Sequence, residues 1–141
     1  MYNGHDPILM GTSLLFIIPA TMAAYNREWI FYLTTLSVAI TSLLTHSTKN
    51  PTIMIIDIFA VQALTWATVP YYYNNGIMHI WLIATGPGFI LFSAGYLTDT
   101  FIYSSNKQES QNWHIIMHLC GITSLTLAQL HGIYSKKLLS A

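Results

Sequence analysis

Apolar residues along this chain gather in five runs, at about 8–24, 29–45, 53–69, 77–97 and 113–134, each closed by a short polar break. The formal charges sit almost entirely in the breaks and tails: Arg27 and Glu28, then Lys49, then Asp99, Lys107 and Glu109, and finally Lys136 and Lys137. At about 1.5 Å rise per residue, each run as a helix reaches across most of a hydrocarbon layer roughly 30 Å thick. Lipid offers backbone groups no hydrogen bonds, so such runs are expected to be helices rather than open strands. The pattern predicts an all-α integral membrane bundle of five transmembrane helices, forming one domain over residues 1–141, without internal repeats.

Turn chemistry sharpens the boundaries. Asn50-Pro51 places an N-cap before a proline at the first helical position, which opens the third helix. Pro70 is expected to close that helix, with Asn74-Asn75-Gly76 forming the turn after it. Pro19 in the first run and Gly86-Pro87-Gly88 in the fourth predict kinks that a membrane helix tolerates. Residues 98–112 read as the one sizeable loop. Trp29, Trp81, Trp113 and the Tyr71-Tyr72-Tyr73 cluster lie near run ends, where aromatic belts form.

Composition agrees with the pattern. The 141 residues are 53% hydrophobic and 7% charged, with mean hydropathy +0.48, whereas a soluble domain carries about 25% charged residues. Five basic and five acidic residues cancel, which argues against nucleic acid as a partner. The single Cys120 has no internal disulfide partner and says nothing about redox compartment. Residues 1–7 lack a basic cluster, so no cleavable signal peptide is expected and the first run is taken as the first span.

One charge breaks the rule. Asp57 lies inside the third run, and an acid at that depth marks a functional site whose partners must be sought. With the N-terminal side of the bundle called side A, the second helix ends there, and the third and fifth begin there. His46 closes the second helix, Asp57 lies a turn or so into the third, and His114 and His118 open the fifth. Ser42 and His46 are four apart on one helix face, as are His114 and His118. Three imidazoles with one open position form the donor set of a catalytic zinc. Asp57 would accept a proton or orient a histidine, and Ser42 would position water or an oxyanion.

Each residue also has a plainer account. A histidine at a helix end is commonly interfacial, a serine in a membrane helix commonly bonds its own backbone, and a buried Asp can simply be protonated. Agreement in depth among groups on three helices favours the metal. His79 and His131 fall on the opposite side, B, and are expected as interfacial residues or, alternatively, as axial ligands of a haem. His5 stands in the N-terminal tail without distinguishing features, and Met10, Met22, Met54, Met78 and Met117 read as packing residues.

Ser42-x3-His46, Asp57 eleven residues later and a late His114-x3-His118 resemble the CREST superfamily of membrane hydrolases, most closely the alkaline ceramidases. The resemblance implies zinc held by His46, His114 and His118, with Ser42 and Asp57 flanking it, and hydrolysis of an amide in a membrane lipid. That family has seven helices where this chain has room for five. Removing two spans between the third helix and the last preserves the parity of the site, and leaves a smaller cavity, open to lipid or completed by a partner. Some members place Trp directly before the second histidine of the pair. Trp113 precedes His114, and in that register Ser110 would replace the first histidine. The 114/118 pair is preferred because Ser110 is expected in the loop.

The leading expectation is a zinc-dependent intramembrane hydrolase of a lipid amide, acting in the bilayer on a lipid substrate. The competing class is a non-catalytic integral membrane subunit of a larger assembly, with haem between His79 and His131. Side B carries Arg27, Lys136 and Lys137 against Lys49 and Lys107 on side A, a slender bias toward a cytoplasmic C-terminus.

Overall fold

The structure, a computed structural model, describes residues 6–48 and 50–139. His5 and Lys49 lie outside the described residues. Seven α-helices follow in order: α1 (Pro7–Leu14), α2 (Ile17–Tyr25), α3 (Trp29–Ser47), α4 (Pro51–Asn74), α5 (Met78–Ala84), α6 (Gly86–Thr98) and α7 (Lys107–Leu139), with a 3-10 turn at Phe101–Tyr103. No strand occurs among the described residues. Four stretches are long and apolar enough to cross a membrane: Pro7–Tyr25, α3, α4 and α7. The pair α5–α6, bent by 46°, makes a fifth if counted as one broken span. This architecture is compatible with a multi-pass membrane protein.

The proline and glycine signals act as the sequence predicts in the first and fourth runs. The first run breaks between Leu14 and Ile17, just ahead of Pro19, which has no N–H to give the Leu15 carbonyl, so that carbonyl accepts the Ile18 N–H at 3.1 Å instead. The fourth breaks at Thr85, immediately before Gly86-Pro87. Asn50 caps α4 by accepting the Thr52 N–H at 2.9 Å, with Pro51 as the first helical residue.

Two boundaries differ from expectation. The α4 helix runs through Pro70 to Asn74, because the turn beyond the proline is anchored by packing. Tyr72 is fully buried and its hydroxyl is 2.7 Å from Ser124 Oγ on α7, while Tyr71 meets the Phe31 ring edge-on. The bare Cα of Gly132 admits this contact, since a Cβ there would stand 2.7 Å from the Tyr71 hydroxyl. The loop expected over 98–112 is also shorter. Asn106 caps α7 by accepting the Gln108 and Glu109 N–H groups, so Lys107 to Asn112 are helical and Ser110 lies in α7, not in a loop.

The helices bury a shared stripe. On α3 the buried residues are Phe31, Thr35, Val38, Ala39, Ser42, Thr45 and His46, recurring every three or four positions. On α7 they are His114, His118, Ile122, Ser124, Leu125, Ala128, Gln129 and Gly132, again following the helical period. The first span packs against both α3 and α7, while α4 packs on α3 and α5, and α6 packs on α7 and the 3-10 turn. Extensive contact between α4 and α6 is absent, which leaves a wedge between them.

Two helices end in the same six-residue cap with different residues at its left-handed position. Past α4, Ile77 N–H reaches Tyr72 O and Gly76 N–H reaches Tyr73 O, with Gly76 at φ 68°. Past α2, Glu28 N–H reaches Ala23 O and Arg27 N–H reaches Ala24 O, but here Arg27 occupies φ 62°. A side chain in that region costs about 1 kcal/mol relative to glycine. Arg27→Gly is therefore expected to stabilise the fold by about 1 kcal/mol, read as a rise in the thermal midpoint of the purified protein.

Candidate metal centre

The α3 and α7 stripes bring three imidazoles together at the side A end. His46 is 1% exposed, His114 8% and His118 5%. Ring centroids lie 4.9 Å apart for His46–His114, 5.3 Å for His46–His118 and 4.8 Å for His114–His118. One ring nitrogen from each lies within 4.8 Å of the others, close enough for side-chain rotation to bring all three onto one ion. Three buried histidines so placed can hold a metal ion, and an all-imidazole set suits zinc, copper, iron or nickel.

Local hydrogen bonds orient one of them. Thr12 Oγ1 donates to the Leu9 carbonyl at 3.0 Å and lies 2.8 Å from His118 Nδ1. With the Thr12 proton spent on Leu9, an Nδ1–H tautomer of His118 would complete this contact. The lone pair of His118 then sits on Nε2, the nitrogen available to a metal. Nε2 also lies 3.5 Å from Ser42 Oγ, and the Ser13 and Ser42 hydroxyls are 3.0 Å apart. The Phe16 ring meets His118 edge-on, with centroids 5.8 Å apart, and closes off the α2 side. Thr12→Val removes the acceptor while keeping the shape. It is expected to weaken metal affinity by roughly 10- to 100-fold, measured by competition with a chromophoric chelator.

Asp57 and Ser42 line the same cavity as the three histidines, together with Asp6. Asp57 is half-buried and faces inward, where its Oδ1 accepts the Thr41 hydroxyl at 2.6 Å. Asp6 caps α1 through the Ile8 and Leu9 N–H groups and accepts Gln111 Nε2 at 2.9 Å. Its own N–H donates to the His46 carbonyl at 3.0 Å, tying the start of the first span to the end of α3.

The cavity measures about 540 Å³, within the usual range for a small-molecule site. From the polar end its walls run along α4 through Ile58, Val61 and Thr65, and along α6 through Gly88, Phe89 and Phe92. Ile58, Val61 and Phe89 line it and are themselves exposed, so the cavity is open rather than sealed along α4 and α6. Tyr103, beside the side A rim, has its phenol pKa raised by burial and by neighbouring Tyr96.

All five residues singled out from the sequence line one cavity: His46, His114 and His118 in the cluster, Ser42 beside His118, and Asp57 on α4. Ser110 also lines this cavity, and its hydroxyl donates to the Ile102 carbonyl. Thr12, Ser13 and Asp6 escaped the sequence reading, although two adjacent hydroxyl residues inside an apolar run were a legible signal. His79 is exposed on α5 and His131 is half-buried on α7, and neither lines this cavity. No protein-family model, curated protein or solved structure matches the chain.

Proposed function

We propose that the chain is a zinc-dependent intramembrane hydrolase of a lipid amide, ceramide-like in the first instance and related to the CREST hydrolases. The observation that carries this reading is the three-imidazole cluster at the polar end of an apolar, side-opening cavity whose walls also present Asp57 and Ser42. His46, His114 and His118 would hold the zinc, which supplies a Lewis acid and water activation near neutral pH.

The remaining chemistry belongs to the chain. Thr41 engages Asp57 Oδ1, so Oδ2 is the oxygen that takes the proton of the attacking water and passes it to the leaving nitrogen. Ser42 Oγ, held beside His118 and Ser13, directs its hydroxyl to the carbonyl oxygen of the amide as charge develops there. Thr12 fixes the tautomer of His118. The apolar walls of α4 and α6 take up the acyl chain, which arrives from the bilayer through the wedge between them.

The test is metal analysis of the purified protein followed by turnover of a fluorescent ceramide before and after chelation. One zinc per chain with hydrolysis lost on chelation supports the reading. Bound metal without turnover of ceramide or another fluorescent lipid amide overturns the hydrolase, and leaves a structural role for the ion.

A further inference from the structure

One polar side chain on the cavity wall is left without a partner. Gln62 is the twelfth of the 24 residues of α4, roughly 17 Å from either end of the helix. With the bundle in a membrane, that is the level of the bilayer midplane, too deep for an amide to reach headgroups or bulk water. The side chain is exposed and lines the cavity, yet makes no hydrogen bond among the described residues. The other polar residues that α4 gives to this wall are all engaged. Asp57 accepts the Thr41 hydroxyl. Thr65 and Thr68 donate to the Val61 and Thr65 carbonyls at 2.9 and 3.1 Å, and the Tyr72 hydroxyl pairs with Ser124. Ile58, Val61, Phe89 and Phe92, which continue the wall on α4 and α6, offer Gln62 nothing to bond. An amide left bare in apolar surroundings is costly, so a group on the bound molecule is the partner that the site lacks.

We propose that Gln62 recognises a hydroxyl on the acyl chain of the lipid that occupies the cavity. Its side chain offers an acceptor, Oε1, and donors on Nε2, without net charge. A hydroxyl can donate to the first or accept from the second. An anion at this depth would find no counter-charge, because Lys107, the one cation among the described lining residues, stands at the start of α7 on side A. Gln62 lies roughly 7.5 Å beyond Asp57 along the axis of α4, the span of about six bonds of an extended chain. With the amide at the metal, the hydroxyl sits on about the sixth carbon of the acyl chain. That register rests on the proposed hydrolase, whereas the unpaired amide of Gln62 does not.

Calorimetric titration of the full chain in neutral maltoside detergent tests it, with decanamide, 2-hydroxydecanamide and 6-hydroxydecanamide as probes. Each is titrated into the parent and into Gln62→Met, which keeps the length of the side chain and removes both hydrogen-bonding groups. Partition of a probe into the micelle is the same for both proteins and cancels in the ratio of their dissociation constants. The substitution is expected to weaken 6-hydroxydecanamide roughly five- to tenfold, and to change the other two by less than about twofold. Methionine suits a membrane helix, and an unchanged thermal midpoint separates lost binding from lost folding. Equal weakening of decanamide would make Gln62 a packing residue and overturn the proposal. Undiminished binding of 6-hydroxydecanamide by the variant, or no binding of any probe to the parent, would overturn it as well. Dependence on Gln62 that appears with 2-hydroxydecanamide instead would overturn the register. Binding is read without turnover, so a chain that hydrolyses no lipid amide but shows the Gln62 dependence would sink the hydrolase and keep this contact.

Discussion

His118→Ala is expected to lower the metal affinity of the purified protein at least about 100-fold, beyond the 10- to 100-fold cost of losing an outer partner. The histidine lies at the centre of the cluster's contacts. It faces both His46 and His114, its Nδ1 is satisfied by Thr12, and its Nε2 lone pair is directed to the side of Ser42. Removing it leaves two donors, on α3 and α7, and a void beside Phe16. The void itself will cost stability, on the order of 2 kcal/mol or more for a buried side chain of this size. His114→Gln, which fills its space but supplies no imidazole, should therefore be measured alongside. His79→Ala, distant from the site, should keep the metal. Full metal occupancy in both His118→Ala and His114→Gln would sink the three-histidine centre.

Asp57→Asn is expected to reduce lipid amide turnover by about 10²- to 10⁴-fold, the usual weight of a general base, with metal content unchanged. The amide oxygen of asparagine can still accept the Thr41 hydroxyl that Asp57 Oδ1 accepts now, so position is preserved and only the basic oxygen is lost. Folding offers no alternative explanation if the thermal midpoint holds. A variant that hydrolyses ceramide at the rate of the parent would remove Asp57 from the chemistry. Loss of metal together with activity would instead make the carboxylate part of the ligand set.

Much of this was legible because a membrane-like sequence advertises its polar exceptions. The five apolar runs gave the helices, and parity alone brought His46, Asp57, His114 and His118 to one end. The periodic stripe on α7 explains why the pair faces inward: His114 and His118 are simply its first two members, continued by Ile122 and Leu125. The rest was hidden where local signals lose to packing. Pro70 reads as a terminator, yet buried Tyr72 holds the next turn helical. Polar residues 107–112 read as loop, yet Asn106 with Glu109 three positions later is a helix start that hydropathy cannot register. Ser110 is consequently helical, which removes the ground on which it was set aside, although the three imidazoles meet in space without it. Thr12 was missed because its partner is 106 positions away in the chain.

The imidazoles belong to the second and the last of the long apolar segments, His46 on α3 and His114 and His118 on α7. During biosynthesis the early part of the chain therefore leaves the ribosome with a single donor, and the pair that completes the set follows 68 residues later (114 − 46). An ion held by all three can be acquired only after the C-terminal segment has docked, and a product truncated ahead of residue 114 would lack two of the three donors.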